Sequence, residues 1–113
     1  MNANFTYNAE VLKIHDGDTI TCNVQLGFKI QAVMTFRLKG IDTPELIGIN
    51  RQKALDAKAF LESKLKGQLV IKTYKDEKEK YGRYLADLFI NDICINQLMI
   101  ADGYAVAYNG GKK

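Results

Sequence analysis

Residues 19–26 alternate in character: Ile20, Cys22, Val24 and Leu26 fall on one side, and Thr21, Asn23 and Gln25 on the other. Residues 29–38 repeat the pattern, with Ile30, Ala32, Met34, Phe36 and Leu38 opposite Lys29, Gln31, Thr35 and Arg37. A period of two places one face of each strand in a core. Gly27, between the runs, predicts a tight hairpin. The apolar-rich stretch 7–15 ends at Asp16, Gly17 and Asp18, where Asp-Gly signals a turn, so three consecutive antiparallel strands are expected.

The period changes at residues 51–65. Leu55, Ala57, Ala59, Phe60, Leu61 and Leu65 form an apolar side, while Lys53, Asp56, Lys58, Glu62 and Lys66 form a polar one, which predicts a helix stopped by Gly67. Strands over 69–74 and 83–90 follow, joined by the charged loop 75–81. A short helix over 95–102 then ends at Gly103, with Ile95, Leu98 and Met99 as its buried stripe. Three strands, a helix, two strands and a helix is the order of a five-stranded OB-fold barrel with two helices, a β-rich α+β class.

A chain of 113 residues supports one domain with one core, with a short tail at 109–113. No apolar run reaches the length of a membrane span, so no membrane partner is expected. The start, MNANFTYNAE, has neither a basic leader nor an apolar segment. The expected location is therefore cytoplasmic, or secreted where a leader has been removed. A net charge of +3 favours polyanions only weakly. Cys22 and Cys94 lie in apolar stretches without metal-ligand spacing and read as small hydrophobes; a disulfide between them stays open.

The candidate chemistry is carried by few residues. His15 is the single histidine, which excludes two-histidine acid–base mechanisms; it reads as a partly exposed residue at a strand end. Lysine is the routine cation, and arginine occurs only at positions 37, 51 and 83. Arg37 and Arg83 fall near strand ends, where guanidinium forks can grip a phosphodiester in a way an ammonium cannot. Surface salt bridges are the simpler reading of either arginine taken alone. Asp16, Asp18, Asp42 and Glu45 are hard oxygen ligands in two short loops, suited to calcium or magnesium, though each pair also suits a solvated turn. Residues 37–45 place an arginine, a ligand candidate and a base candidate within one short segment.

Three segments in order, residues 15–19, 37–45 and 80–83, resemble the staphylococcal nuclease family, and the resemblance extends over about residues 11–108. It implies a calcium-dependent phosphodiesterase that takes DNA and RNA with little sequence preference and leaves 3′-phosphate ends. Asp18 and Asp42 match the calcium carboxylates, and Thr43 the residue lending a backbone carbonyl. Glu45 matches the general base, and Arg37 and Arg83 the phosphate-binding arginines. Lys80 and Tyr81 match contacts to a terminal phosphate, and Tyr108 a tyrosine beside the nucleotide. Against the secreted members, the loop after Glu45 is expected to be shorter, and the family's final helix to be absent or replaced by a short tail. A monomer is expected. The competing reading is an OB-fold module that binds nucleic acid without cutting it. An unrelated adaptor role is a third reading; the full set Asp18, Arg37, Asp42, Glu45 and Arg83 argues against both.

Overall fold

The computed structural model describes residues 5–44, 51–75 and 84–108. Three long strands open the chain: β1 (Thr6–Asp16), β2 (Thr19–Gly27) and β3 (Ile30–Leu38). The short β4 (Ile41–Asp42) and α1 (Arg51–Lys64) follow, then β5 (Leu69–Lys75) and β6 (Tyr84–Ile90). The chain continues through β7 (Ile93–Cys94), α2 (Ile95–Ala101) and β8 (Val106–Ala107).

β1 serves two neighbours. Its first residues, Thr6 to Ala9, pair with β5, and the stretch from Ala9 onward pairs with β2. Register shifts between Val11 and Lys13 and between Ile14 and Asp16 bend the strand, as bulges do, and let one strand turn the barrel's corner. β2 pairs with β3 and β5 with β6, all antiparallel. A parallel seam then closes the cylinder, with Phe36 opposite Tyr84, Arg37 opposite Leu85 and Leu38 opposite Ala86. The result is the expected OB-type barrel: five strands, closed, with two helices.

The alternation seen in the sequence holds where the barrel is closed and fades where the β2–β3 hairpin extends beyond it. Ile20, Cys22, Val24, Phe36 and Leu38 are buried, but Leu26 and Ile30 are exposed. The hairpin turn falls on Phe28 and Lys29, both at positive φ, with Phe28 97% exposed. Two left-handed residues match the twist of the flanking strands, so the turn geometry is the usual primed kind. Gly27 precedes the turn's centre rather than forming it.

α1 buries Ala54, Ala57 and Leu61, so its core face is rotated from the one expected: Leu55 and Ala59 point outward. Phe60 instead stacks on Tyr104, with centroids 4.3 Å apart, and joins α1 to the segment after α2. Asn91 and Asp92, both at positive φ, turn the chain from β6 into β7, a hairpin not anticipated. Asn96 at the start of α2 is fully buried. Its Nδ2 donates to the Lys39 and Ala86 carbonyls at 2.8 and 3.0 Å, and its Oδ1 accepts from the Leu88 amide at 3.0 Å. One side chain therefore ties α2 to β6 and to the residue following β3. Both cysteines are free, Cys22 buried and Cys94 partly exposed. Burial pushes the Cys22 thiol up to about 12.

Candidate active site

Asp18 occupies the β1–β2 turn and is 8% exposed. The turn is bolted to β3 by the Leu38 amide, which donates to the Asp18 carbonyl at 2.8 Å. Gly17 is needed here for space rather than for a positive φ. A Cβ at that position would lie 2.9 Å from the Ala57 Cβ and 3.0 Å from the Thr43 Cγ2. The absent side chain lets α1, the turn and the segment after β4 meet at one point.

That meeting point places the acids. The Thr43 amide donates to Asp18 Oδ2 at 3.2 Å, and the Thr19 hydroxyl donates to Asp18 Oδ1 at 3.1 Å. The Asp16 carboxylate turns back to accept from the Asp18 amide at 3.0 Å. Burial, and then the neighbouring Asp16, raise the Asp18 carboxyl above the usual range; the Thr43 amide and Arg37 pull it the other way. Two acids so close, one of them desolvated, form a site that a cation would stabilise.

Arg37 lies near the end of β3, in the closing seam. Its Nη2 donates to Asp42 Oδ1 at 3.0 Å and lies 3.6 Å from Asp18 Oδ2, so one guanidinium nitrogen gathers both carboxylates. β4 carries Asp42 and pairs with β8, with Asp42 opposite Val106 and Ile41 opposite Ala107. The Tyr108 amide donates to the Gly40 carbonyl at 2.8 Å, extending that pairing. Its ring receives the Arg37 guanidinium 4.8 Å from the centroid. Neither short strand is visible in periodicity, yet together they bring Tyr108 to Arg37 from 71 positions away along the chain.

The structure thus brings together Asp18, Arg37, Asp42, Thr43 and Tyr108. Glu45, Lys80, Tyr81 and Arg83 lie outside the described residues, as does the tail 109–113. Among the described residues, no group of three or more His, Cys, Asp or Glu side chains is arranged to hold a metal ion. Asp18 and Asp42 remain a two-carboxylate, all-oxygen donor pair, the chemistry that a hard divalent cation takes. His15 has its Nε2 2.7 Å from the Thr21 hydroxyl, which is itself 2.8 Å from the Thr35 hydroxyl. Asn96 was missed in the sequence; its one signal is an amide inside an apolar helical stripe. The spatial role of Gly17 was also missed, because the turn alone accounted for it.

A five-stranded OB-type barrel with an acid–arginine cluster at one end defines the class. Comparison with known proteins then supplies the family: residues 35–113 match the model of the staphylococcal nuclease homologues, and the chain belongs to that family, which is of nuclease type. An uncharacterized protein of Bacillus anthracis is 42% identical over 106 residues, covering 89% of this chain and 47% of the relative. An uncharacterized protein of Methanocaldococcus jannaschii is 33% identical over 128 residues, covering 90% and 59%. The thermonuclease of Staphylococcus hyicus is 31% identical over 102 residues, covering 87% and 57%. The chain therefore spans about half the length of the relatives it matches. No helix among the described residues is long and apolar enough to cross a membrane.

Proposed function

We propose that the chain is a calcium-dependent phosphodiesterase that hydrolyses DNA and RNA with little sequence preference. The observation carrying this reading is the convergence of Asp18 and Asp42 on Arg37, with the Tyr108 ring against the same guanidinium. Asp18 is buried and Asp42 half-buried beside the guanidinium, an arrangement that adds little net stability and supports a binding role.

Asp18 and Asp42 would hold the cation, with the Thr43 carbonyl as a further oxygen ligand. When bound, the ion supplies positive charge to a phosphodiester that gains negative charge during hydrolysis. Arg37 would donate N–H groups to the phosphate oxygens. Arg83 is proposed as the second such donor. Glu45 is proposed to take the proton from the attacking water, a task for a carboxylate within hydrogen-bond reach. Lys80 and Tyr81 are proposed to hold the terminal phosphate and Tyr108 to flank the nucleotide. Recognition centred on phosphate carries no base code, so the same site would accept DNA and RNA.

The test is degradation of plasmid DNA and of a structureless RNA, with calcium and with chelator. Cleavage with calcium, protection by chelator and loss of turnover in Glu45→Ala with DNA binding retained are the expected results. Folded protein that binds DNA but does not nick it under saturating calcium would establish a binding module instead.

A further inference from the structure

The closing seam does more than seat Arg37. Arg37 opposes Leu85 across it, and Leu85 opposes Tyr74 across the β5–β6 pairing, so the three share one cross-strand row. Side chains in such a row share a face, and neighbouring strands lie about 4.8 Å apart, which sets Tyr74 about 10 Å from Arg37. Lys39, Asp87 and Lys72 occupy the next positions on this face. The Lys39 amide donates to the Ala86 carbonyl at 2.9 Å, and Asp87 opposes Lys72.

Tyr74 is anchored between one carboxylate at its hydroxyl and two ammoniums over its ring. Its hydroxyl donates to Asp87 Oδ2 at 3.0 Å, and Asp87 Oδ1 accepts from the Nδ2 of buried Asn96 at 3.3 Å. The Lys39 ammonium lies 4.2 Å from the ring centroid and that of Lys72 lies 5.6 Å away. Both lysines are exposed, and their flexible stems can carry the ammoniums off the ring. An oriented aromatic ring flanked by mobile cations is the chemistry that stacks a base and neutralises its phosphate.

We propose that Tyr74, Lys39 and Lys72 form a second nucleotide subsite for a single-stranded nucleic acid whose scissile phosphate lies at Arg37. The inference rests on the proposed function and adds to it a strand path across the outer face of β6 to β5. The base of a flanking nucleotide stacks on Tyr74, displacing the ammoniums, which pair with the adjoining phosphates. Charge complementarity and continuity with the acid–arginine cluster select nucleic acid as the occupant. Leu85, between the two subsites, offers an apolar surface to the intervening nucleotide.

The test is fluorescence anisotropy of the full chain with a labelled single-stranded octanucleotide and a labelled dinucleotide in calcium, under single-binding conditions with a non-cleavable phosphorothioate backbone. Wild type is expected to bind the octamer more tightly than the dinucleotide. Tyr74→Ala is expected to shrink that ratio about tenfold, the loss of one stacked base, while Tyr74→Phe retains most of it. Lys39→Gln combined with Lys72→Gln is expected to reduce the slope of log affinity against log salt by about 1.4, the single-strand value for two phosphate contacts. An unchanged octamer-to-dinucleotide ratio in folded Tyr74→Ala, or an unchanged salt slope in the double lysine variant, would overturn the subsite while leaving the nuclease reading intact. Wild type that neither binds nor cleaves any oligonucleotide would overturn both.

Discussion

Gly17→Ala tests how the acids are positioned. The new methyl would sit 2.9 Å from the Ala57 Cβ, 3.0 Å from the Thr43 Cγ2 and 3.1 Å from the Thr43 Oγ1. Carbon atoms pack best at about 3.5–4.0 Å, so the Ala57 contact is short by more than half an ångström. Ala57 has no rotamer with which to withdraw, because its Cβ is fixed to the helix. Either α1 or the turn must move, and overpacking of this kind costs about 1–3 kcal/mol. Moving the turn also loosens the 3.2 Å bond from the Thr43 amide to Asp18, so cleavage should fall beyond what lost folded protein explains. Ala57→Gly removes the worst contact but costs about 1 kcal/mol in helix propensity, plus about 0.8 kcal/mol for the buried methyl. The double variant should therefore be more stable than the sum of the single effects by about 1 kcal/mol. Urea titrations followed by circular dichroism, compared at equal m-value, give all three numbers. Two single effects that add within about 0.3 kcal/mol, the usual tolerance for independent sites, would refute the proposed contact.

Arg37→Lys should bind single-stranded DNA yet lose at least about a hundredfold in turnover, on the scale of a lost oxyanion donor; initial rates on plasmid DNA decide it, and a fully active variant would contradict the phosphate grip. Asn96→Leu matches the side chain's size but strips the Leu88 amide and the Lys39 carbonyl of a partner, and should cost about 3 kcal/mol in urea denaturation. Cys22, raised to about 12 in the fold, should resist a thiol reagent at pH 8 until the protein unfolds. Because its folded value exceeds the unfolded one, its contribution is complete below about pH 8.5 and declines as pH rises through the window up to 12, where the unfolded thiol ionises first. Cys22→Ala should flatten that alkaline loss of stability.

Much of the barrel was legible because β2 and β3 bury one face only, and a one-sided strand writes its period into the sequence. The helical face was harder to read. Small Ala54 is a buried residue of α1, while Leu55 and Ala59 face out, so hydrophobicity alone rotated the expected stripe. β4, β7 and β8 hold two residues each, too few to show a period. The acids and Arg37 were legible as chemistry, from residue types that rarely cluster in so short a segment. The placement of Tyr108 depends on the β4–β8 pairing, and the Tyr74 platform depends on cross-strand register; neither leaves a local trace.

Three residue pairs complete the cylinder, and the middle pair carries the guanidinium. Barrel closure and the acid–arginine cluster therefore share one seam, joined across nearly fifty positions of chain. Contacts so distant in sequence carry a large loop-closure cost. Partial unzipping of this line would leave Arg37 beside the β1–β2 turn, where it opposes Thr19 and the Leu38 amide holds Asp18, but would part it from Leu85 and the outer face of β6.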